Sequence, residues 1–354
     1  MGVTLRAYGS DQTVSNFVED SHDGPNWGAQ PVSEASTTQL VSSFQFDGGS
    51  VVFRLNGSFP ESALAAGNLS GVASAGATVS AYELSHRGSV METASFSTPV
   101  SVADLLAAML QTDRAALTRY FAGNDVFYGS EQGNSEGDDD GVHGYAGNDT
   151  FYGYAPSTGS SSNMDKFYGG DGIDTAVFRG SAAQYQVRWS DYVWMPDNLA
   201  GSGYQVVDTV AGRDGSKALR MVERLSFSDK SVALDIDAGG NALKTMQIVS
   251  LVAPSLADNL SVRGQVLSMF DGGLTMQAFA QQVVDLGLLP RNNSDFIGAL
   301  YANIFKKAAS TAELATLTKF VDDAGQANVL AQVAEMGLTV NLVGLQQNGM
   351  DYLA

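Results

Sequence analysis

Two stretches of nine residues carry the same phrase, and they decide the fold of the middle of the chain. They read Gly144-Tyr-Ala-Gly-Asn-Asp-Thr-Phe-Tyr152 and Gly169-Gly-Asp-Gly-Ile-Asp-Thr-Ala-Val177. Both fit the pattern G-G-x-G-x-D-x-U-x, where U is a large apolar residue, except for Tyr145 at the second position of one and Ala176 at the apolar position of the other. This pattern is typical of a parallel β-helix that binds calcium. Aligned on the aspartate two places before the apolar position, five repeats fall within residues 120–178, at Asp125, Asp140, Asp149, Asp165 and Asp174.

The residue types in this pattern suit a calcium ion. Glycine at the first, second and fourth positions lets the backbone turn tightly and point carbonyl oxygens into the turn. The aspartate adds a carboxylate, and calcium takes six to eight oxygens at about 2.3–2.6 Å. Zinc is disfavoured because its sites use thiolates or clustered imidazoles, whereas the chain has no cysteine and three scattered histidines. The predicted ligands are Asp125, Asp140, Asp149, Asp165, Asp174, Gly144, Gly147, Asn148, Gly169, Asp171 and Gly172.

Two further expectations concern this stretch. Without the ion, repulsion among the carboxylates predicts that the stretch is disordered. The alternative to a calcium site is an acidic loop, rich in glycine and serine, that is disordered under all conditions. Aromatic residues two places after three of the aspartates, at Phe127, Phe151 and Phe167, argue against that alternative.

The repeated phrases resemble the RTX, or haemolysin-type, calcium-binding repeats of Gram-negative proteins exported by type I secretion. The resemblance is most specific in Gly144–Tyr152 and Gly169–Val177. The Asp165 repeat has Asn163 where the fourth glycine belongs, which is tolerable because asparagine visits the left-handed region more easily than most residues. The resemblance implies a calcium-binding parallel β-roll over residues 120–178.

The overall composition describes an acidic globular chain. It has 354 residues, of which 44% are hydrophobic, and a formal net charge of −19, enough for two or three domains. This charge argues against nucleic acid or anionic lipid as a partner, because both bind basic surfaces. Residues 1–10 lack a basic region followed by an apolar one, and no segment approaches about 18 continuous apolar residues. We therefore expect neither Sec-type export nor a transmembrane anchor.

The first 100 residues predict a β domain. Gly2–Pro31 is polar and irregular and is interpreted as an arm or a loop-rich edge. Strand-like alternation follows, clearest in residues 51–55, and suggests a small β-sandwich or β-roll. Ser101 with Asp104 then predicts a capped helix within residues 101–119 that covers the open end of the repeats.

After the repeats, the spacing of apolar residues is first that of strands and then that of helices. Residues 179–240 alternate as strands, and Val222-Glu-Arg-Leu-Ser-Phe-Ser-Asp229 resembles the β module that follows RTX repeats in secreted proteins. Residues 241–354 have a helical apolar period, with a capping box at Ser310–Glu313. Within them, Asp295-Phe-Ile-Gly-Ala-Leu-Tyr-Ala-Asn-Ile-Phe305 is similar to a helical domain of unknown function found near the C-terminus of many type I-secreted surface and matrix proteins. An all-α domain is therefore expected there.

The last four residues, Asp351-Tyr-Leu-Ala354, place three apolar residues after an acid. This ending resembles the uncleaved C-terminal signal of several type I secretion substrates. The resemblance implies that the type I secretion apparatus is a partner. It also implies an extracellular or cell-surface location in a Gram-negative bacterium.

No catalytic residue is identified in the sequence. The best-known enzymes among RTX proteins are zinc proteases and lipases, but the motifs H-E-x-x-H and G-x-S-x-G do not occur. The histidines, His22, His86 and His143, are scattered. Acidic clusters such as Asp138–Asp140 are explained better by cation ligation than by glycoside chemistry. We therefore expect a protein that is not an enzyme.

Together these patterns predict a mixed, mainly β protein, with an N-terminal β-sandwich or roll, a central calcium-binding parallel β-roll, a β module and a C-terminal all-α domain. The predicted boundaries are 1–100, 101–119, 120–178, 179–240 and 241–354. The expected function is that of a secreted, calcium-dependent structural protein that self-assembles into a surface layer or sheath. Two alternatives stay open: a biofilm-matrix protein or adhesin that binds glycans or outer-membrane lipopolysaccharide, and a secreted hydrolase with an unrecognised site.

Overall fold

A computed structural model describes residues 2–7, 26–46, 49–109, 118–129, 141–153, 165–193 and 201–354. The chain divides into two compact units, Met1–Asp229 and Lys230–Ala354. The first unit contains the repeats and most of the strands, and the second contains the longer helices.

The first part of unit 1 is an antiparallel sheet with short helices. Its elements are β1 (Val3–Ala7), β2 (Glu34–Ala35), β3 (Gln39–Phe46), β4 (Gly49–Ser58), α1 (Glu61–Leu64), α2 (Leu69–Ser74), β5 (Thr78–His86), β6 (Ser89–Ser101) and α3 (Val102–Met109). Strands β2 to β6 pair in sequence order as a meander. Alternation buries Val51, Phe53 and Leu55 of β4, as the sequence predicts. The predicted cap of α3 is confirmed, because the Asp104 N–H donates to Ser101 Oγ at 2.9 Å.

Strand β1 joins this meander to the repeats. It pairs antiparallel with β6 and parallel with β7 (Val126–Tyr128). Gly2–Pro31 was expected to be an irregular arm, and for Val3–Ala7 that expectation was wrong. The side chains of Val3 and Leu5 are buried, and two apolar residues two positions apart give a strand its inner face.

The repeat segment winds between two sheets. After β7 its elements are β8 (Gly141–Ala146), β9 (Thr150–Tyr152), β10 (Asp165–Asp171), β11 (Thr175–Val177), β12 (Tyr185–Val193), β13 (Gly201–Asp208), β14 (Ser216–Arg220) and β15 (Arg224–Ser226). Strands β7, β9, β11 and β15 lie side by side in parallel in the large sheet. Strands β8, β10 and β14 lie in parallel in a second sheet of five strands.

Aromatic residues from both sheets pack between these strands. The ring of Phe167 in β10 lies 6.4 Å from that of Phe127 and 5.0 Å from that of Phe151, both of which belong to the large sheet. All three side chains are almost fully buried. Burying a ring of this size stabilises the fold by about 1.5–3 kcal/mol, so the apolar positions of these three phrases hold the two layers together.

Between β11 and β15 the chain makes an antiparallel excursion. Strand β12 pairs with β13 and β13 with β14, and β14 returns to lie parallel to β10. Two buried carboxylates fix the loops of this excursion, since Asp208 pairs with Arg213 and Asp214 pairs with Arg179. Removing one partner of such a pair would leave a buried charge uncompensated, so these pairs keep β14 in position.

Unit 2 combines a helical core with a two-stranded pair. Its elements are β16 (Ser231–Ala233), α4 (Asn241–Val252), α5 (Leu260–Asp271), α6 (Met276–Asp285), α7 (Asn293–Phe305), α8 (Thr311–Ala324), α9 (Gln326–Glu335), α10 (Leu342–Asn348) and β17 (Met350–Tyr352). The predicted capping box is confirmed, because the N–H groups of Ser310 and Glu313 donate to each other's side chains. Strands β16 and β17 pair antiparallel, and Lys230 pairs with Asp351.

None of the helices that the structure describes has both the length and the apolar character required to cross a bilayer.

The fold class predicted from the sequence was wrong in two respects. The protein is a mixed α/β fold in which the N-terminal and repeat strands share one large mixed sheet, in the order β15-β11-β9-β7-β1-β6-β5-β4-β3-β2. They do not form a β-sandwich and a separate β-roll. The segment expected to be all-α, residues 241–354, is not, because it contains β17. Both errors arise because these pairings join residues far apart in the sequence, and local periodicity carries no information on such pairings.

Candidate metal site

Three aspartates from successive turns form a ladder of hydrogen bonds. The N–H of Asp125 donates to Oδ1 of Asp149 at 2.8 Å, and the N–H of Asp149 donates to Oδ1 of Asp174, also at 2.8 Å. At one end, Val3 N–H donates to Asp125 Oδ1 at 2.6 Å, and at the other, Asp174 N–H donates to Glu223 Oε2 at 2.8 Å. Each aspartate immediately precedes a parallel strand of the large sheet, so the ladder repeats once per turn.

The second oxygen of each aspartate is buried without a partner. The three side chains are at most 1% exposed, and their Oδ2 atoms make no hydrogen bond. Burial raises the pKa of Asp125, Asp149 and Asp174 to about 7 each, and the hydrogen bonds from the backbone oppose this shift. An unpartnered buried carboxylate oxygen is unfavourable, so three of them at equivalent places indicate positions built for a proton or a cation.

At two glycines, a backbone carbonyl oxygen and one of these carboxylate oxygens both lie close to the position that a Cβ would take. At Gly144, the position that a Cβ would take lies 2.1 Å from Asp149 Oδ2 and 2.4 Å from the carbonyl oxygen of Gly169. At Gly169, the same position lies 2.3 Å from Asp174 Oδ2 and 2.0 Å from the carbonyl oxygen of Met221. A side chain at either glycine would collide with both oxygens. Because carboxylate and carbonyl oxygens are both acceptors, each pair becomes favourable when a proton or a cation is shared between them.

Left-handed glycines let these turns stack closely. Gly147 and Gly172 have φ of 127° and 144°, and a Cβ on Gly172 would lie 1.9 Å from the carbonyl oxygen of Gly147. Asparagine side chains connect the same turns, since Asn148 N–H donates to Asn124 Oδ1 at 2.9 Å and Ile173 N–H donates to Asn148 Oδ1 at 3.0 Å. The glycines and asparagines of the phrase therefore keep the aspartates in register.

The structure brings most of the predicted ligands together. Those in the ladder and the adjoining turns are Asp125, Asp149, Asp174, Gly144, Gly147, Asn148, Gly169, Asp171 and Gly172. Asp165 is elsewhere: it starts β10 in the five-stranded sheet, and its carboxylate pairs with the buried Nζ of Lys217. Asp140 lies outside the described residues.

Two residues of the site were missed by sequence reasoning. Glu223 is the last member of the ladder, and the carbonyl oxygen of Met221 lies beside Gly169, as Asp174 Oδ2 does. Both follow the long excursion of β12–β14, so no regular spacing points to them. A signal was present nonetheless, because Glu223 stands two places before Leu225, as the aspartate of the phrase stands before its apolar residue.

The oxygen atoms at this ladder fit a hard cation. Calcium takes carboxylate and carbonyl oxygens, and the residues that would hold it between two repeat turns are Asp149, through its carboxylate, and Gly169, through its carbonyl group. Within the described part of the chain, no three acidic, histidine or cysteine side chains form a metal-binding group. A bound ion would neutralise the carboxylates and connect one turn to the next.

Comparison with known proteins assigns no family to the chain. No protein-family model matches it, and no curated protein shows a significant match to its sequence.

Proposed function

We propose that this chain is a calcium-dependent structural protein of the cell exterior that has no catalytic activity and assembles with further copies of itself. The observation that carries the calcium part is the ladder of Asp125, Asp149 and Asp174, whose Oδ2 atoms are buried and unpartnered. Without an ion these oxygens reduce the stability of the folded repeats. An ion that binds the folded state alone stabilises it by mass action, so the repeats would fold in response to calcium.

The exterior location is supported by the chemistry of such sites and by the sequence. Calcium sites of extracellular modules have dissociation constants of about 10⁻⁴–10⁻³ M. A chain that needs such a site to fold would stay unfolded during export and fold outside the cell. The resemblance of the repeats to those of type I-secreted proteins supports this route.

The proposed export signal, Asp351–Ala354, places a constraint on the order of events. In unit 2 this segment contributes to β17, where Tyr352 is buried and Asp351 pairs with Lys230. A secretion apparatus that reads these residues would therefore read them before unit 2 folds. Export of an unfolded chain and calcium-triggered folding are consistent with each other on this point.

Assembly into a surface layer or sheath is supported by the sequence alone, through the resemblance of the repeats and of residues 241–354 to those of secreted surface proteins. The experiment strips purified protein with EDTA, restores calcium in steps, and follows folding by circular dichroism and size by light scattering and electron microscopy. Magnesium at the same concentrations is the control, because it keeps its waters and demands a tighter octahedral site. Ordered sheets or tubes that form with calcium alone would support the proposal.

Two other results would change the proposed function. A calcium-folded protein that stays monomeric would favour the adhesin or the hydrolase, and glycan and substrate screens would then separate those two. A protein that folds identically in EDTA and calcium would overturn the calcium dependence itself.

A further inference from the structure

The aspartate ladder continues beyond the repeats. The N–H of Asp174 donates to Glu223 Oε2, and the carbonyl oxygen of Asp174 accepts from the N–H groups of Glu223 and Arg224 at 3.1 and 2.9 Å. Strand β15, which begins at Arg224, then lies parallel to β11. Glu223 thus takes the place that an aspartate takes in a repeat, although 49 positions separate it from Asp174.

Met221 takes the place of a repeat glycine. Tyr168 of β10 is opposite Arg220 of β14, so the next residues, Gly169 and Met221, are opposite each other. The Met221 carbonyl oxygen and Asp174 Oδ2 lie 2.0 and 2.3 Å from the Cβ position of Gly169, as the Gly169 carbonyl oxygen and Asp149 Oδ2 lie 2.4 and 2.1 Å from that of Gly144. A residue outside the repeat pattern therefore reproduces the pairing of a carbonyl with an unpartnered carboxylate oxygen.

The conformation of Met221 indicates that its backbone is what matters. Its φ is 52°, a left-handed conformation that costs free energy for a residue with a Cβ. Its side chain is 43% exposed, so packing of the thioether does not account for the conformation. In this conformation the carbonyl oxygen lies beside Gly169, on the side where Asp174 Oδ2 also lies.

We propose that a second calcium site, the junction site, lies outside the repeat pattern, with the carboxylate of Asp174 and the carbonyl oxygen of Met221 as ligands. Glu223 is its positioning residue, because it holds the N–H of Asp174 and adds negative charge. The repeat site is its counterpart at Asp149 and Gly169. The independent observation that points to a ligand is Asp174 Oδ2, on a side chain with no measurable exposure and without a hydrogen-bond partner. The inference rests on the proposed function, because it requires the same ion.

The junction site has a consequence for folding. The excursion of β12–β14 separates Asp174 from Met221, so an ion bound by both closes a long loop. Closing a loop of this length is entropically costly, and the ion would contribute to that closure only once the excursion has formed. The junction site would therefore make the end of unit 1 fold together with the repeats.

The test counts calcium ions on the full chain by equilibrium dialysis and elemental analysis. Met221→Val disfavours positive φ, whereas Met221→Asn is a matched control that tolerates it. The Val variant should bind one ion fewer per chain, or bind that ion at least tenfold more weakly, a loss on the scale of second-shell effects. The Asn variant should match the wild type.

Two further variants separate the sites and guard against misfolding. Glu223→Gln keeps an oxygen for the N–H of Asp174 but removes the charge, and should weaken one ion about tenfold. Asp149→Asn should affect a different ion, at the repeat site. One result would overturn the junction site but leave the calcium function standing. In that result Asp149→Asn binds calcium differently from the wild type, whereas Met221→Val and Glu223→Gln both bind it like the wild type. If the wild type binds no calcium, both the junction site and the proposed calcium function are overturned. If Met221→Val does not fold, the Glu223→Gln titration decides.

Discussion

The Oδ2 atom of Asp149 and the carbonyl oxygen of Gly169 converge beside Gly144, and Asp149 Oδ2 has no hydrogen-bond partner there. Two oxygens that only accept hydrogen bonds gain nothing from this approach unless a third species joins them. With the pKa of Asp149 raised to about 7 by burial, a proton can take that role near neutral pH, and a cation can replace it. A cation that binds here would therefore displace a proton from this residue.

Asp149→Asn should raise the calcium concentration needed for folding by at least tenfold. The amide keeps an oxygen for the N–H of Asp125 but removes the negative charge beside Gly169. Asp237→Asn, at an exposed position, is the matched control and should leave the midpoint unchanged. The midpoint is read from far-ultraviolet circular dichroism during a calcium titration from EDTA. Coincident titrations for the two variants would contradict the role of Asp149.

Gly144→Ala and Gly169→Ala should each destabilise unit 1 by about 1–3 kcal/mol or more, the usual range for overpacking. A Cβ at either position would lie within 2.4 Å of a carboxylate and a carbonyl oxygen. Gly67→Ala is the control, because nothing lies within 4 Å of its Cβ position, and it should be neutral or slightly stabilising. Urea unfolding at saturating calcium measures all three. Equal urea midpoints for Gly67→Ala and Gly144→Ala would show that the turn at Gly144 has room for a Cβ.

The local part of this site could be predicted from the sequence, because a turn is encoded by adjacent residues. Gly144, Gly147 and Asn148 have the residue types that their turn requires, and the aspartate that follows them takes the expected place in the ladder. Asp165 also precedes an apolar residue, yet it pairs with Lys217 in the other sheet. The phrase identifies an aspartate before a strand but does not say which sheet that strand joins.

The non-local part could not be predicted, because it depends on chain closure over long distances. Strand β1 lies between β6 and β7, and its few residues carry no mark of a parallel partner more than a hundred positions away. Glu223 reaches Asp174 after an excursion of three strands. The expected all-α segment likewise contains β17, whose partner β16 lies at the other end of unit 2.

Glu92→Gln should remove a pH dependence from the stability of unit 1. Glu92 is buried beside the hydroxyl of Tyr82, and burial raises its pKa from 4.5 to about 8. Between these values the folded state keeps a proton that the unfolded state has lost, so the stability of the wild type falls as pH rises from 4.5 to 8 and levels off above 8. The fall is at most about 5 kcal/mol.

The measurement is the difference in unfolding free energy between the wild type and Glu92→Gln, from urea titrations at saturating calcium across that pH range. Contributions from the ladder aspartates are common to both proteins and cancel in this difference. Glu61→Gln, at an exposed glutamate, is the control for replacing a glutamate by glutamine in unit 1. A flat profile for Glu92→Gln would mean that Glu92 is ionised in the folded protein.

The pair of Asp165 and Lys217 offers a last prediction, which separates a structural carboxylate from a calcium ligand. Their side chains are 6% and 2% exposed, and Nζ lies 2.5 Å from Oδ2. Lys217→Met should cost about 3–5 kcal/mol, because it leaves a buried carboxylate without its counter-charge. The double variant Asp165→Asn with Lys217→Met should recover most of that loss, since it removes both charges. Urea unfolding at saturating calcium gives these values.

The same double variant should bind as many calcium ions as the wild type, because Asp165 stands apart from the ladder in the five-stranded sheet. The repeat pattern alone makes the opposite prediction, in which Asp165 is equivalent to Asp149 and its loss removes an ion. Equilibrium dialysis decides between the two. Asp149→Asn, measured in parallel, shows how much calcium binding falls when a ligand is lost. An equal fall in the double variant would mean that Asp165 is a calcium ligand after all.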